Sequence, residues 1–113
     1  MNLIRSNQHL LIAIEIFHVL NRARRPELYL RKETFIEHIQ GKPTAIGTVL
    51  WKLSQGGLIE NQRGRNGGYR KREKAVFLSE LFDLFEVQKE PIGHPHVNSF
   101  ERSMYHQSRT IIL

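Results

Sequence analysis

The residues best suited to chemistry lie close together, in the stretch Asn61-Gln-Arg-Gly-Arg-Asn-Gly-Gly-Tyr-Arg-Lys-Arg72. From Glu60 to Lys74 there are six basic side chains (Arg63, Arg65, Arg70, Lys71, Arg72 and Lys74) and two acidic ones, Glu60 and Glu73. The local excess of four is two-thirds of the net +6 of the whole chain. Guanidinium and ammonium groups at this density pair with phosphate oxygens, so the chemistry expected is the binding of a polyanion. Glycines among them let main chain come close to a phosphate or a groove floor, and arginines beside them can enter a narrow, strongly negative minor groove. Arg63 and Arg65 are the candidates for that role, with Asn66 and Arg70 beside them.

Little else points to a reaction. The chain has no cysteine, which excludes a disulfide framework, thiolate-bound zinc and an iron–sulfur cluster. It has no nucleophile motif and no phosphate loop of the GxxxxGK type, and the chain is read as a non-enzyme without a cofactor. His94-Pro-His96 with His106 can be drawn as a metal site, but an HxH in a proline-rich turn is read as solvated histidine, and no metal is expected. At the start, the apolar run from Leu10 to Phe17 is broken by Glu15 and continues into more helix. Neither a signal peptide nor a membrane span is expected, and cytoplasmic residence follows.

The elements that must position the cations follow from periodicity. A helix is predicted from Asn7 to about Arg24, with Leu10, Ile14, Phe17 and Asn21 on one stripe and Ile12, Ile16 and Val19 on the other side. A helix apolar on two sides must be covered twice, so the second stripe is expected to meet another helix or another subunit. A shorter helix is predicted from Lys32 to Gln40, burying Phe35, Ile36 and Ile39. The break Gly41-Lys42-Pro43 precedes a third helix that starts at Pro43 or Thr44 and ends at Gly56-Gly57. Ile46, Val49, Leu50 and Leu53 share its inner face, whereas Thr44, Thr48, Trp51 and Gln55 look away, with Lys52 to one side.

Two short strands, Leu58 to Gln62 and Tyr69 to about Arg72, then form a hairpin whose Asn66-Gly67 step favours a turn with positive φ at both central residues. Ala75-Val76-Phe77 closes that segment. Ser79 is a candidate N-cap for a fourth helix carrying Leu81, Phe82, Leu84 and Phe85. Beyond Val87 the prolines and glycine at 91, 93 and 95 oppose helix, and a final amphipathic piece from Val97 to about Arg109 puts Val97, Phe100 and Met104 on one side.

Helix, helix, short turn, helix, ribbon, helix is the order of a winged helix-turn-helix, a mainly α fold with a small β-ribbon. Residues 1–87 are read as that DNA-binding domain and 88–113 as a linker with a short, helical, dimerising end. In such a domain the third helix enters the major groove. Thr44, Ala45 and Thr48 are its candidates for base edges, and Lys42 and Lys52 its candidates for backbone phosphates. None of the three base-edge candidates is a long side chain able to make bidentate base pairings, so shape readout is expected to carry much of any specificity. Trp51 fits either packing against a neighbouring element or a surface role.

The sequence resembles the Rrf-two family of bacterial winged-helix regulators. The likeness is carried by Leu53, by Gly57-Leu58-Ile59, by Arg63-Gly64 followed by Gly67-Gly68-Tyr69-Arg70, by Leu78 through Glu86, and by the pattern of Met1 to Leu20. The resemblance implies a homodimeric transcriptional repressor on an imperfect palindrome of double-stranded DNA, with Arg63 of the wing in the minor groove. Ile12, Ile16, Val19, Val97, Phe100 and Met104 are the candidates for dimerisation. The chain departs from the family in lacking the cysteines that cluster-sensing members use, and in a C-terminal dimerisation helix cut down to the piece from Val97. It also has Arg65 where many relatives have proline, Lys71 where many have an apolar residue, and Gly47 where they often carry a longer polar one. A partner protein, a small ligand or the chain's own abundance are open as sources of control. The alternatives to a repressor are a winged-helix protein-interaction module that antagonises another regulator, and a non-specific binder of duplex nucleic acid, including RNA.

Overall fold

The computed structural model describes residues 7–85 and 109–113. Its elements are α1 (Gln8–Asn21), α2 (Lys32–His38), α3 (Pro43–Gln55), the strands β1 (Ile59–Gln62) and β2 (Gly68–Lys71), and α4 (Leu78–Leu84). The described chain is thus mainly helical, with one two-stranded antiparallel sheet.

α1 starts where Asn7 caps it. The Asn7 side-chain oxygen accepts from the Leu10 amide at 3.0 Å, while its amide nitrogen donates to the Phe85 carbonyl at 3.1 Å and ties the helix start to the end of α4. α3 starts with Pro43 at its first position, where a missing N–H costs nothing. It ends in a Schellman arrangement: the Leu58 amide bonds the Leu53 carbonyl at 3.0 Å, the Gly57 amide bonds Ser54 at 3.1 Å, and Gly57 takes the positive φ of 75° that this stop requires.

Most of the two-sided apolarity of α1 is covered inside the chain. α1 touches α2, α3, α4 and β2, and Ile12 and Ile16 of the second stripe sit in the same core as Leu10, Phe17 and the inner face of α3. Ile46, Val49, Leu50 and Leu53 are all fully buried, as the period of α3 predicts. Phe35 of α2 is buried too and meets Tyr69 of β2 edge-to-face at 6.1 Å between ring centroids.

Several predicted boundaries move. α1 ends at Asn21 rather than near Arg24, and α2 at His38 because Ile39 turns to extended backbone. Ser79 is not the cap of α4 but lies in its first turn. Phe77 is the capping residue, and its amide donates to the Glu80 carboxylate at 2.9 Å. The main chain also pairs in two places that periodicity does not show. Leu30 and Tyr69 exchange both hydrogen bonds, at 2.7 and 2.8 Å. Residues 111–113 return beside 76–78, with Leu78 bonded to Ile111 at 2.9 Å and Leu113 to Val76 at 2.8 Å. The expected linker and most of the predicted last helix, including Val97, Phe100, Met104 and the three histidines 94, 96 and 106, lie outside the described residues.

Candidate nucleic-acid interface

The hairpin register sets which residues form its tip. Gln62 pairs with Gly68, so 63–67 make a five-residue loop, closed by the Gly67 amide on the Gly64 carbonyl at 3.0 Å. Arg65 and Asn66 are the central residues of this turn. The expected pair of positive φ angles at Asn66-Gly67 is not found. The hairpin glycines with positive φ are Gly64, at 110°, and Gly68, at 145°. Gly68 is required by a close approach, because a Cβ there would meet the main chain of Leu30, which pairs with Tyr69. The tip is fixed from the start of α2: the Arg31 guanidinium donates to the Arg65 carbonyl at 2.9 Å. Arg63, Arg65 and Asn66 are exposed.

The six basic residues of the hairpin do not act alike. Arg70 is a candidate for the polyanion by its place in the sequence, but the fold engages it within the chain. Its Nε lies 2.7 Å from Glu60, the residue opposite it in the register, and its Nη1 is 2.7 Å from the Glu27 carbonyl. The guanidinium also lies 4.4 Å from the centre of the Tyr29 ring. Its hydrogen bond to Glu60 raises its pKa further above the arginine range. Lys71 donates to the Asn21 side chain at 2.7 Å and to the main-chain oxygen of Leu113 at 2.9 Å. Arg72 donates to both oxygens of Glu80, at 2.7 and 2.8 Å, and to the carbonyls of Gly57, Lys74 and Ala75. Burial pushes the Glu80 carboxyl up, but the hydrogen bonds from Arg72 and the Phe77 amide outweigh it and hold its pKa below the ordinary carboxylate value. What remains exposed without a carboxylate partner among the described residues is Arg63 and Arg65 at the tip and Lys74 at the base.

On α3 the outer stripe is as predicted: Thr44, Thr48, Trp51 and Gln55 are exposed. Thr48 Oγ1 donates to the Thr44 carbonyl at 2.9 Å, which commits its proton and leaves its oxygen as an acceptor. Trp51 is 62% exposed and stands on the surface of the helix. Two other candidates shift. Ala45 is half-buried and packs against the core on the flank of the stripe. Lys52 turns toward Phe85, its ammonium 4.9 Å from the ring centre. Lys42, just before α3, is exposed.

Sequence reasoning missed Arg31 and Lys32. They line a shallow groove of about 360 Å³ with Gln62, Arg65 and Tyr69, between the start of α2 and the hairpin. The available signal was the run Leu28-Tyr29-Leu30 ahead of them, which reads as a short extended segment able to pair with a strand.

For dimerisation the structure removes two candidates from the surface. Ile12 is 8% exposed and Ile16 fully buried in the chain's own core. Val19 is half-buried and lines an outer depression with Glu15, His18 and Thr34. No described helix is long and apolar enough to cross a membrane. Compared with known proteins, the chain matches no family model and no curated sequence.

Proposed function

We propose that this chain is a winged helix-turn-helix regulator of transcription, which binds a specific double-stranded DNA sequence and represses as a homodimer on an imperfect palindrome. α3 enters the major groove and offers Thr44 and Thr48 to base edges and thymine methyls, with Trp51 and Gln55 further along the same stripe. The tip of the hairpin reaches the adjacent minor groove with Arg63 and Arg65, and Lys42 meets a backbone phosphate.

One observation carries this reading. Carboxylates are matched to two cations at the stem of the hairpin, and those at the tip have no carboxylate partner among the described residues. Glu60 neutralises Arg70 and Glu80 neutralises Arg72, whereas Arg63 and Arg65 stand exposed on a loop held in place by Arg31. Positive charge kept in solvent on a fixed main chain, together with an exposed helix stripe of threonines, suits the backbone and grooves of a duplex. The second face needed for a homodimer is sought among Val19 and the segment from Val97.

The test is to select bound duplexes from a random pool with the full chain. A two-fold symmetric motif is expected, with half-sites spaced by about one helical turn. A pool that stays random while duplex DNA and duplex RNA compete equally would make the chain a non-specific binder. No retention of any duplex would leave the protein-interaction reading.

A further inference from the structure

The inner part of α3 contains a glycine, Gly47, with no turn or cap to serve, and glycine inside a helix weakens it relative to alanine. What sits over it comes from another element. A Cβ on Gly47 would lie 2.8 Å from Nζ and 3.0 Å from Cε of Lys32, the first residue of α2. The lysine side chain therefore runs across α3 in the space a side chain at 47 would fill. On the helix surface the neighbours of 47 at i−3 and i+4 are Thr44 and Trp51, both members of the exposed stripe. Lys32 is itself exposed and has no carboxylate partner among the described residues. It also lines the groove that runs from α2 to Arg65.

We propose that Lys32 is a DNA-contacting residue: its ammonium, carried over from α2, stands in for the polar side chain that α3 lacks at Gly47 and binds a backbone phosphate at the edge of the major groove. Gly47 leaves open the space that the ammonium occupies, and a methyl there would shift the flexible end of the lysine at small cost. The inference rests on the reading of the chain as a duplex binder and adds to it a residue outside both the third helix and the wing. It also explains how a helix face built of threonines and a tryptophan acquires a cation midway along its length.

The experiment measures affinity of the full chain for the selected duplex by fluorescence anisotropy across 50 to 200 mM salt, for wild type, Lys32→Ala, Lys32→Arg, Gly47→Ala and the double variant Lys32→Ala/Gly47→Ala. For a phosphate contact, Lys32→Ala loses roughly fivefold in affinity per protomer near 150 mM salt, uniformly across sequences, and the log–log salt slope falls by about one per protomer. Lys32→Arg restores most of both. Gly47→Ala, which shifts the lysine end, weakens binding by less than Lys32→Ala does, and has no further effect when Lys32→Ala has already removed the lysine. The melting temperature of Gly47→Ala stays equal to wild type or rises, so the loss is not one of folding. Unchanged affinity and slope for Lys32→Ala, with Arg63→Ala still impaired, would overturn the inference and leave the interface standing. So would an equal penalty for Gly47→Ala with and without the lysine, which would mean that the methyl itself obstructs DNA. A wild type that binds no duplex sinks this proposal together with the function it rests on.

Discussion

The salt dependence of duplex binding distinguishes the cations that the fold leaves free from those it consumes. Four exposed cations without a carboxylate partner among the described residues flank the α3 stripe or sit at the hairpin tip: Lys32, Lys42, Arg63 and Arg65. If each neutralises one phosphate, the slope of log K against log salt is roughly −3.6 for one chain and roughly −7 for a dimer. Between 50 and 200 mM salt that amounts to a loss of roughly 150-fold or roughly 10⁴-fold. Were Arg70, Lys71 and Arg72 also on the DNA, the slopes would steepen to roughly −6 and roughly −13. Substitution separates the two sets. Arg63→Ala is expected to flatten the slope by about one per chain and to cost about 1–3 kcal/mol of binding if the side chain reads the groove. Arg70→Ala is expected to leave the slope alone and to lower the melting temperature, because its guanidinium is engaged by Glu60, the Glu27 carbonyl and the Tyr29 ring. Anisotropy titrations of a labelled duplex at several salt concentrations, paired with thermal melts, provide both readouts. A flat salt response, or an Arg70→Ala variant that loses slope as Arg63→Ala does, would refute the division into structural and binding cations.

Glu80→Gln should lower stability by about 1–2 kcal/mol near neutral pH, because it removes a charge-assisted, partly exposed pair. The folded carboxyl titrates below its ordinary value of 4.5, so its contribution is present above that value and is lost as pH falls through the folded pKa. The variant should therefore show a shallower acid limb in urea melts from about pH 7 to about pH 3. Gly68→Ala combines a φ of 145° with a Cβ against the Leu30 main chain, and a loss of more than about 2 kcal/mol is expected in chemical denaturation. Unchanged stability would show that the Leu30–Tyr69 pairing is dispensable. Removing residues 111–113 deletes the bonds to Leu78, Val76 and Lys71 and should cost about 1–3 kcal/mol, read by the same denaturation. Trp51→Ala, at an exposed site, should change stability by less than about 0.5 kcal/mol while weakening duplex binding.

The register of the hairpin depends on chain far from its turn. A two-residue turn at Asn66-Gly67 would place Glu60 opposite Glu73 and leave Arg70 to solvent. The observed five-residue tip places Glu60 opposite Arg70 and closes an ion pair at 2.7 Å. Asn-Gly and Gly-Gly announce a turn, but Tyr69 pairs with Leu30, Gly68 takes the positive φ, and the turn centres on Arg65-Asn66. With that pairing Arg31 lies at the tip and Lys32 at Gly47; the run Leu28-Tyr29-Leu30 marks an extended segment ahead of them but not the strand it pairs with.

By itself the sequence determined the four described helices, the inner face of α3, its exposed stripe, the existence of the ribbon and the site of its charge. Those follow from repeats of 3.6 and 2 residues and from glycine and proline, all of which act within a few residues of chain. Only the tertiary structure decided that Ile12 and Ile16 of the second stripe of α1 are covered within one chain, that Arg70, Lys71 and Arg72 are bound internally, and that Lys52 turns to Phe85. The physical reason is that a charge finds its partner by proximity in space. Strand register and the return of distant main chain set that proximity, and composition does not record either.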